Sequence, residues 1–204
     1  MLYNFKDSDL TKEKSLWDIY KLSRKIYPGK LQFFIIFFVA LMLFINAFLF
    51  DTDLSNIISD TRLWAGMGFN FSITTLGFLI AGFTIFSTLS KPRMMLAMMD
   101  HINEETGLPT LKYNFFTFMK VFITYIIFSL LYLLVILIGQ EGGFVSQLIK
   151  MIPDSLCLKV IVVKLAYIVI GASFVHLLLL LKSFIFNIYA IVMNFLRWEY
   201  HQED

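Results

Sequence analysis

The sequence predicts an all-α membrane protein with four transmembrane helices, an N-terminal interfacial helix and an extended C-terminal helix. Three observations predict it. Apolar runs near 31–50, 63–90, 114–139 and 160–181 contain no acidic residue. Each reaches the ~20 residues that a helix needs to cross a ~30 Å hydrocarbon core, whereas a soluble helix would carry a polar face. Composition agrees, with 58% hydrophobic residues, 16% charged residues and a mean hydropathy of +0.75.

Charge orders the topology. Residues 1–30 carry seven basic side chains (Lys6, Lys12, Lys14, Lys21, Arg24, Lys25, Lys30) against four acids. Lys91, Arg93, Lys112, Lys120, Lys182 and Arg197 fall on the same side, Lys120 by snorkelling back, which makes 13 basic residues there. The opposite side has four (Arg62, Lys150, Lys159, Lys164) beside Asp51, Asp53, Asp60, Glu141 and Asp154. The positive-inside rule then places both termini in the cytoplasm. The outward loops, near 51–62 and 140–157, are short, so a protein partner is expected on the cytoplasmic side.

The chain divides into a cytoplasmic amphipathic segment (1–30), a four-helix membrane domain (31–181) and a cytoplasmic helical extension (182–204). In the first, residues 12–27 read as a helix with Thr11 as N-cap. Leu16, Ile19, Tyr20, Ser23, Ile26 and Tyr27 share one face and basic residues another; with Trp17, this suits a helix lying on the inner leaflet. The polar start excludes a secretory signal, and the first apolar run reads as a retained signal-anchor. The single cysteine, Cys157, has no internal disulfide partner.

Span two differs from the others. Asn70, Thr74, Gly77, Ala81, Thr84 and Thr88 follow alternating four- and three-residue steps and so line one helix face. Small and hydroxyl residues let helix backbones approach and hydrogen-bond in lipid. The stripe reads as a packing face, within one chain or between copies in a homo-oligomer, or else as the lining of an uncharged pore gated by dewetting.

After span two, Pro92 suits an early helical position, and Gly107 and Pro109 end the segment. Met94, Met95, Met98 and Met99 between them form either a cover for the mouth of the bundle or an adaptable surface for a cytosolic partner. Span four continues past Lys182 as an apolar pattern to Leu196. A straight helix over 159–197 would measure about 58 Å, roughly twice the hydrocarbon thickness. Ser183, Asn187, Ala190 and Asn194 share one face, and Phe184, Ile188, Ile191 and Phe195 another; Asn187 and Ile191 are candidate partner contacts if the helix projects into the cytoplasm. The competing arrangement bends it along the leaflet, with Trp198 in the aromatic belt.

His176 lies inside span four, either as a neutral imidazole bonded to a hydroxyl on a neighbouring helix or as a protonation-sensitive gate. Lys164, nearer the outer end, is expected to snorkel outward. No metal site is expected, because neither His101 nor His201 shares the bilayer with His176. The chain has no phosphate loop, HExxH, CxxC or GxSxG motif and no intramembrane acid for proton relay. Arg197 and His201 stand closer together than the nuclease pair of HEPN domains. The reading is therefore non-enzymatic, with no cofactor, no catalytic residue and no direct nucleic-acid binding at a net charge of +2.

Two stretches, Gly77 to Phe86 (GFLIAGFTIF) and Leu111 to Phe116 (LKYNFF), resemble small four-span bacterial membrane proteins of phage-defence systems. The membrane subunit of the Kiwa system and the membrane accessory proteins of CRISPR loci are of this kind. The resemblance implies an oligomeric inner-membrane sensor or effector acting with a cytosolic protein, and carries over no site residue. The expected function is a sensor or scaffold coupling membrane disturbance to that partner; the alternative is a gated pore that depolarises the membrane. A transporter is disfavoured, since the spans show neither an inverted repeat nor a broken midplane helix.

Overall fold

The computed structural model describes residues 4–26, 29–50, 53–89, 91–140, 142–144, 147 and 155–200. Tyr27, Asp51, Glu141, Lys150, Asp154 and His201 lie outside the described residues. The helices are α1 Asp7–Leu10, α2 Leu16–Ser23, α3 Lys30–Ile45, α4 Leu54–Leu89, α5 Pro92–Asp100, α6 Thr110–Ile138 and α7 Ser155–Tyr200. A π turn, Asn46–Phe50, continues α3. No strand occurs among the described residues; an isolated antiparallel bridge joins Ile102 and Pro109.

Among the described residues four stretches are long and apolar enough to cross a membrane: Lys30–Phe50, Leu54–Thr88, Thr110–Ile138 and Cys157–Tyr200. Their surfaces agree, with Phe33, Phe34, Phe37 and Phe38 of α3 all exposed. Apolar side chains facing outward along a whole helix suit lipid, where no water penalises them. This is an all-α, multi-pass membrane protein.

Helix ends correct the sequence expectations in two places. Residues 54–62, expected as loop, are helical. The Asp53 carbonyl accepts from Ile57 N, and its carboxylate accepts from Ser55 N at 2.9 Å and Ser55 Oγ at 2.8 Å, an N-cap ten residues before the apolar run begins. The helix expected over 12–27 with Thr11 as N-cap is instead Leu16–Ser23, capped by Ser15. Ser15 Oγ accepts from Asp18 N and donates to the Asp18 carboxylate, a reciprocal box that outcompetes Thr11, which ends α1. The extension expected beyond Lys182 is present, because α7 runs as one helix through residue 182.

The chain forms two compact units. The first comprises Met1–Tyr27, Leu76–Thr124 and Leu180–Asp204. Its core is aromatic: Phe83 meets Phe115, Phe118 and Phe122 edge-on, with centroids 5.5, 5.9 and 5.7 Å away. The last three recur at helical spacing on one face of α6, and Phe184 of α7 closes on Phe118 at 5.2 Å. Each such pair adds roughly 0.5–1.5 kcal/mol beyond burial.

The second unit comprises Pro28–Thr75 and Tyr125–Leu179. Ala47, Ile57 and Tyr167 form a buried cluster, with Trp64 stacked on Tyr167 at 4.7 Å. Close helix approach depends on glycine here: a Cβ on Gly171 would lie 2.6 Å from Leu43 Cδ1, and one on Gly68 would lie 2.8 Å from the Tyr132 ring.

Candidate functional site

Along α4, exposed and buried positions alternate, and the large apolar Ile73, Phe78, Ile80 and Ile85 are among those exposed. In the first unit Gly77, Ala81, Thr84 and Thr88 are exposed while Leu79 and Phe86 are buried. In the second, Asn70 and Thr74 are exposed while Ala65, Gly68, Ser72 and Thr75 are buried. The small-and-hydroxyl stripe thus lies wholly on the surface of the chain. A Cβ on Gly77 would meet nothing within 4 Å, so the close approaches within the chain use Gly68, Gly82 and Gly171 instead. Thr84 Oγ1 donates to Ile80 O at 2.9 Å, and Thr88 Oγ1 to Thr84 O at 3.1 Å. With these protons satisfied on their own helix, the hydroxyl oxygens and the small side chains form the outward surface.

A buried hydroxyl network, not singled out from the sequence, joins the helices of the second unit. Ser129 Oγ lies 2.8 Å from Ser72 Oγ and 2.7 Å from Tyr125 O. Tyr125 donates to Leu177 O at 2.8 Å, and Tyr132 and Ser173 share a 2.8 Å hydrogen bond. The available signal was the spacing of Tyr125, Ser129 and Tyr132, which places three hydroxyl side chains on one face of α6. His176 sits in this unit with its ring edge-on to Phe128, centroids 5.9 Å apart at 72°. The intramembrane polar candidate is therefore packed against an aromatic ring.

Lys164 is buried within the chain, with Nζ 4.9 Å from the Phe48 ring centroid. The π turn brings Phe48 over it, and the ring face satisfies the cation in part. Lys120 Nζ does reach toward the N-terminal segment, donating to Ile26 O at 2.5 Å.

The proposed partner residues divide. Met94 and Met99 are buried, and Met95 and Met98 half-buried, so the four do not form one exposed surface; α5 turns two of them inward as cover. Ile191 is buried and Asn187 half-buried. The apolar face of α7 that seemed to require an outside partner is partly filled by this chain: Phe184 packs on Phe118 and Phe122, and Ile188 approaches Gly82. Ile185, Phe186, Tyr189, Val192, Met193, Leu196 and Tyr200 are the large apolar side chains that α7 exposes there.

In the first unit an open cleft of about 710 Å³ is lined by Asn4, Asp9, Lys12, Glu13, Asp100 and Lys112, among others. At its wall Lys112 Nζ contacts both Glu13 oxygens, at 2.6 and 2.8 Å, and Asn4 N donates to Asp100 Oδ1 at 2.7 Å. These bonds tie the N-terminal segment to the α5–α6 connection, where Gly107 adopts φ +67° to close the turn. Among the described residues no group of three or more His, Cys, Asp or Glu is placed to hold a metal ion. Comparison with protein-family models, curated proteins and solved structures finds no match.

Proposed function

We propose that this chain is a non-enzymatic, homo-oligomeric protein of the bacterial inner membrane that couples bilayer disturbance to a cytosolic protein partner. The carrying observation is the exposure of all six residues Asn70, Thr74, Gly77, Ala81, Thr84 and Thr88 on a helix whose opposite face is packed. Small and hydroxyl groups gain little against lipid, whereas a second copy would gain close backbone contact and interhelical hydrogen bonds. The distribution of basic residues supports cytoplasmic termini, and the two short stretches resembling phage-defence proteins support a role in antiviral defence.

The test is native mass analysis in mild detergent. Gly77→Leu and Ala81→Leu should yield smaller species than wild type, because their added bulk meets only the partner. An unchanged oligomer removes this face as the interface. Partner coupling is checked by co-purification, with Met193→Glu expected to reduce recovery of a cytosolic protein.

The same uncharged, outward face supports a second reading, a pore closed by dewetting at rest. Thr84→Asp would then hydrate the pore and depolarise expressing cells, while wild type and His176→Ala would not. If none of the three depolarises cells, with or without phage challenge, the pore reading fails.

A further inference from the structure

Lys164 is the one strongly buried lysine of the described residues that no hydrogen bond or carboxylate meets; its residue is 9% exposed and its recorded contact is the Phe48 ring. A cation so placed in a membrane-spanning helix loses hydration and regains only the modest attraction of a ring face. Its Nζ nevertheless keeps some exposed surface, since among the described residues no buried side-chain nitrogen or oxygen lacks a hydrogen-bond partner.

The surroundings define an anion for it. Phe48 stands two residues before the end of the first span, at Phe50, so the ammonium lies near the level where that span leaves the hydrocarbon. One turn along α7, Tyr167 meets the same π turn: Asn46 Nδ2 donates to Tyr167 Oη at 2.9 Å. Flanking side chains are apolar and outward: Leu49 and Phe50 beside Phe48, and Ile161, Val162 and Leu165 beside Lys164. A small free anion would gain nothing from them, whereas acyl chains would cover them.

We propose that Lys164, beside the Asn46–Phe50 turn, binds the phosphate group of a membrane phospholipid. The ammonium supplies charge, and the apolar rim seats the acyl chains. The assignment does not depend on the oligomer or its partner.

Native mass spectrometry of delipidated full-length protein tests it with phosphatidylglycerol, diacylglycerol of the same chains, and inorganic phosphate. Wild type should retain phosphatidylglycerol, diacylglycerol should bind at least about tenfold more weakly, and Lys164→Met should lose about tenfold in retention. Lys164→Met removes an unpaired charge, so it should fold at least as well as wild type in lipid-free detergent. Phosphatidylglycerol should then raise the melting temperature of wild type and leave that of the variant unchanged. Equal retention by wild type and variant overturns the site. Equal binding of diacylglycerol shows that the headgroup is not read, and binding of inorganic phosphate as tight as that of the lipid moves the assignment to a free anion. Should Lys164→Met fail to fold, the headgroup comparison on wild type decides alone.

Discussion

The hydroxyls of Tyr132 and Ser173 lie 2.8 Å apart, both buried, and the tyrosine ring that carries one of them occupies the space beside Gly68. Three helices of the second unit are thereby joined at one residue: α6 supplies the ring, α7 the hydroxyl partner and α4 the gap. In lipid, where apolar surface has no water to escape, such close approach and shared hydrogen bonds hold helices together.

Alanine at Gly68 and at Gly77, two of the glycines of α4, should therefore act differently. Gly68→Ala sets a methyl 2.8 Å from the Tyr132 ring and should destabilise by about 1–3 kcal/mol through overpacking. Gly77→Ala meets open space and should be neutral or stabilising by up to about 1 kcal/mol, from restricted backbone freedom. Tyr132→Phe should cost about 1 kcal/mol by leaving Ser173 with one partner fewer. Unfolding in detergent at protein concentrations below assembly measures all three; equal effects at positions 68 and 77 would contradict this packing.

The Glu13–Lys112 pair should control how firmly the N-terminal segment is held. The side chains are 11% and 12% exposed, so removing one partner leaves a charge largely cut off from water. Lys112→Met is expected to cost about 3 kcal/mol, and the double replacement Glu13→Leu with Lys112→Leu distinctly less, because the pair's desolvation is then relieved on both sides. Limited proteolysis within residues 4–26 reads the outcome. A double variant cleaved faster than Lys112→Met would show that the pair does not act as a unit.

The start of α2 should loosen in acid. Hydrogen bonds from the Ser15 hydroxyl, with smaller contributions from the Lys14 and Ser15 backbone and the Lys21 charge, hold the Asp18 carboxyl below its ordinary value of 3.8. A carboxyl depressed in the folded state stabilises fully above the unfolded value and loses that contribution as pH falls through the folded value. Amide exchange of Leu16 to Asp18 should accordingly rise only below about pH 4. Ser15→Ala, which deletes the leading cause, should move that rise to higher pH; an unmoved midpoint would assign the depression to another group.

Much of the fold was legible because bilayer physics acts on composition over long windows. Four apolar runs without acids become four helices because any other backbone would leave polar groups unpaired in hydrocarbon. The stripe on α4 was legible for the same kind of reason, since helical spacing alone puts Asn70, Thr74, Gly77, Ala81, Thr84 and Thr88 on one side. Boundaries were less legible. Hydropathy is blind to the capping carboxylate of Asp53, and two cap candidates in one segment, Thr11 and Ser15, are separated only by which can form the reciprocal box with Asp18.

The sequence by itself determined that the chain is helical, that it has four spans and which residues share each helix face, because these depend on local periodicity and on the solvent it must enter. Which face turns inward was decided only by tertiary structure. Met99 and Met95 belong to the same short helix, yet the first is buried and the second half-exposed. Gly68 and Gly77 belong to the same long one, yet only the first has a tyrosine ring against it. Lys164, read along the chain, has no visible partner; the Phe48 ring that covers it comes from more than a hundred residues away. Contacts between residues so distant depend on how whole helices fit together, and no local pattern encodes that fit.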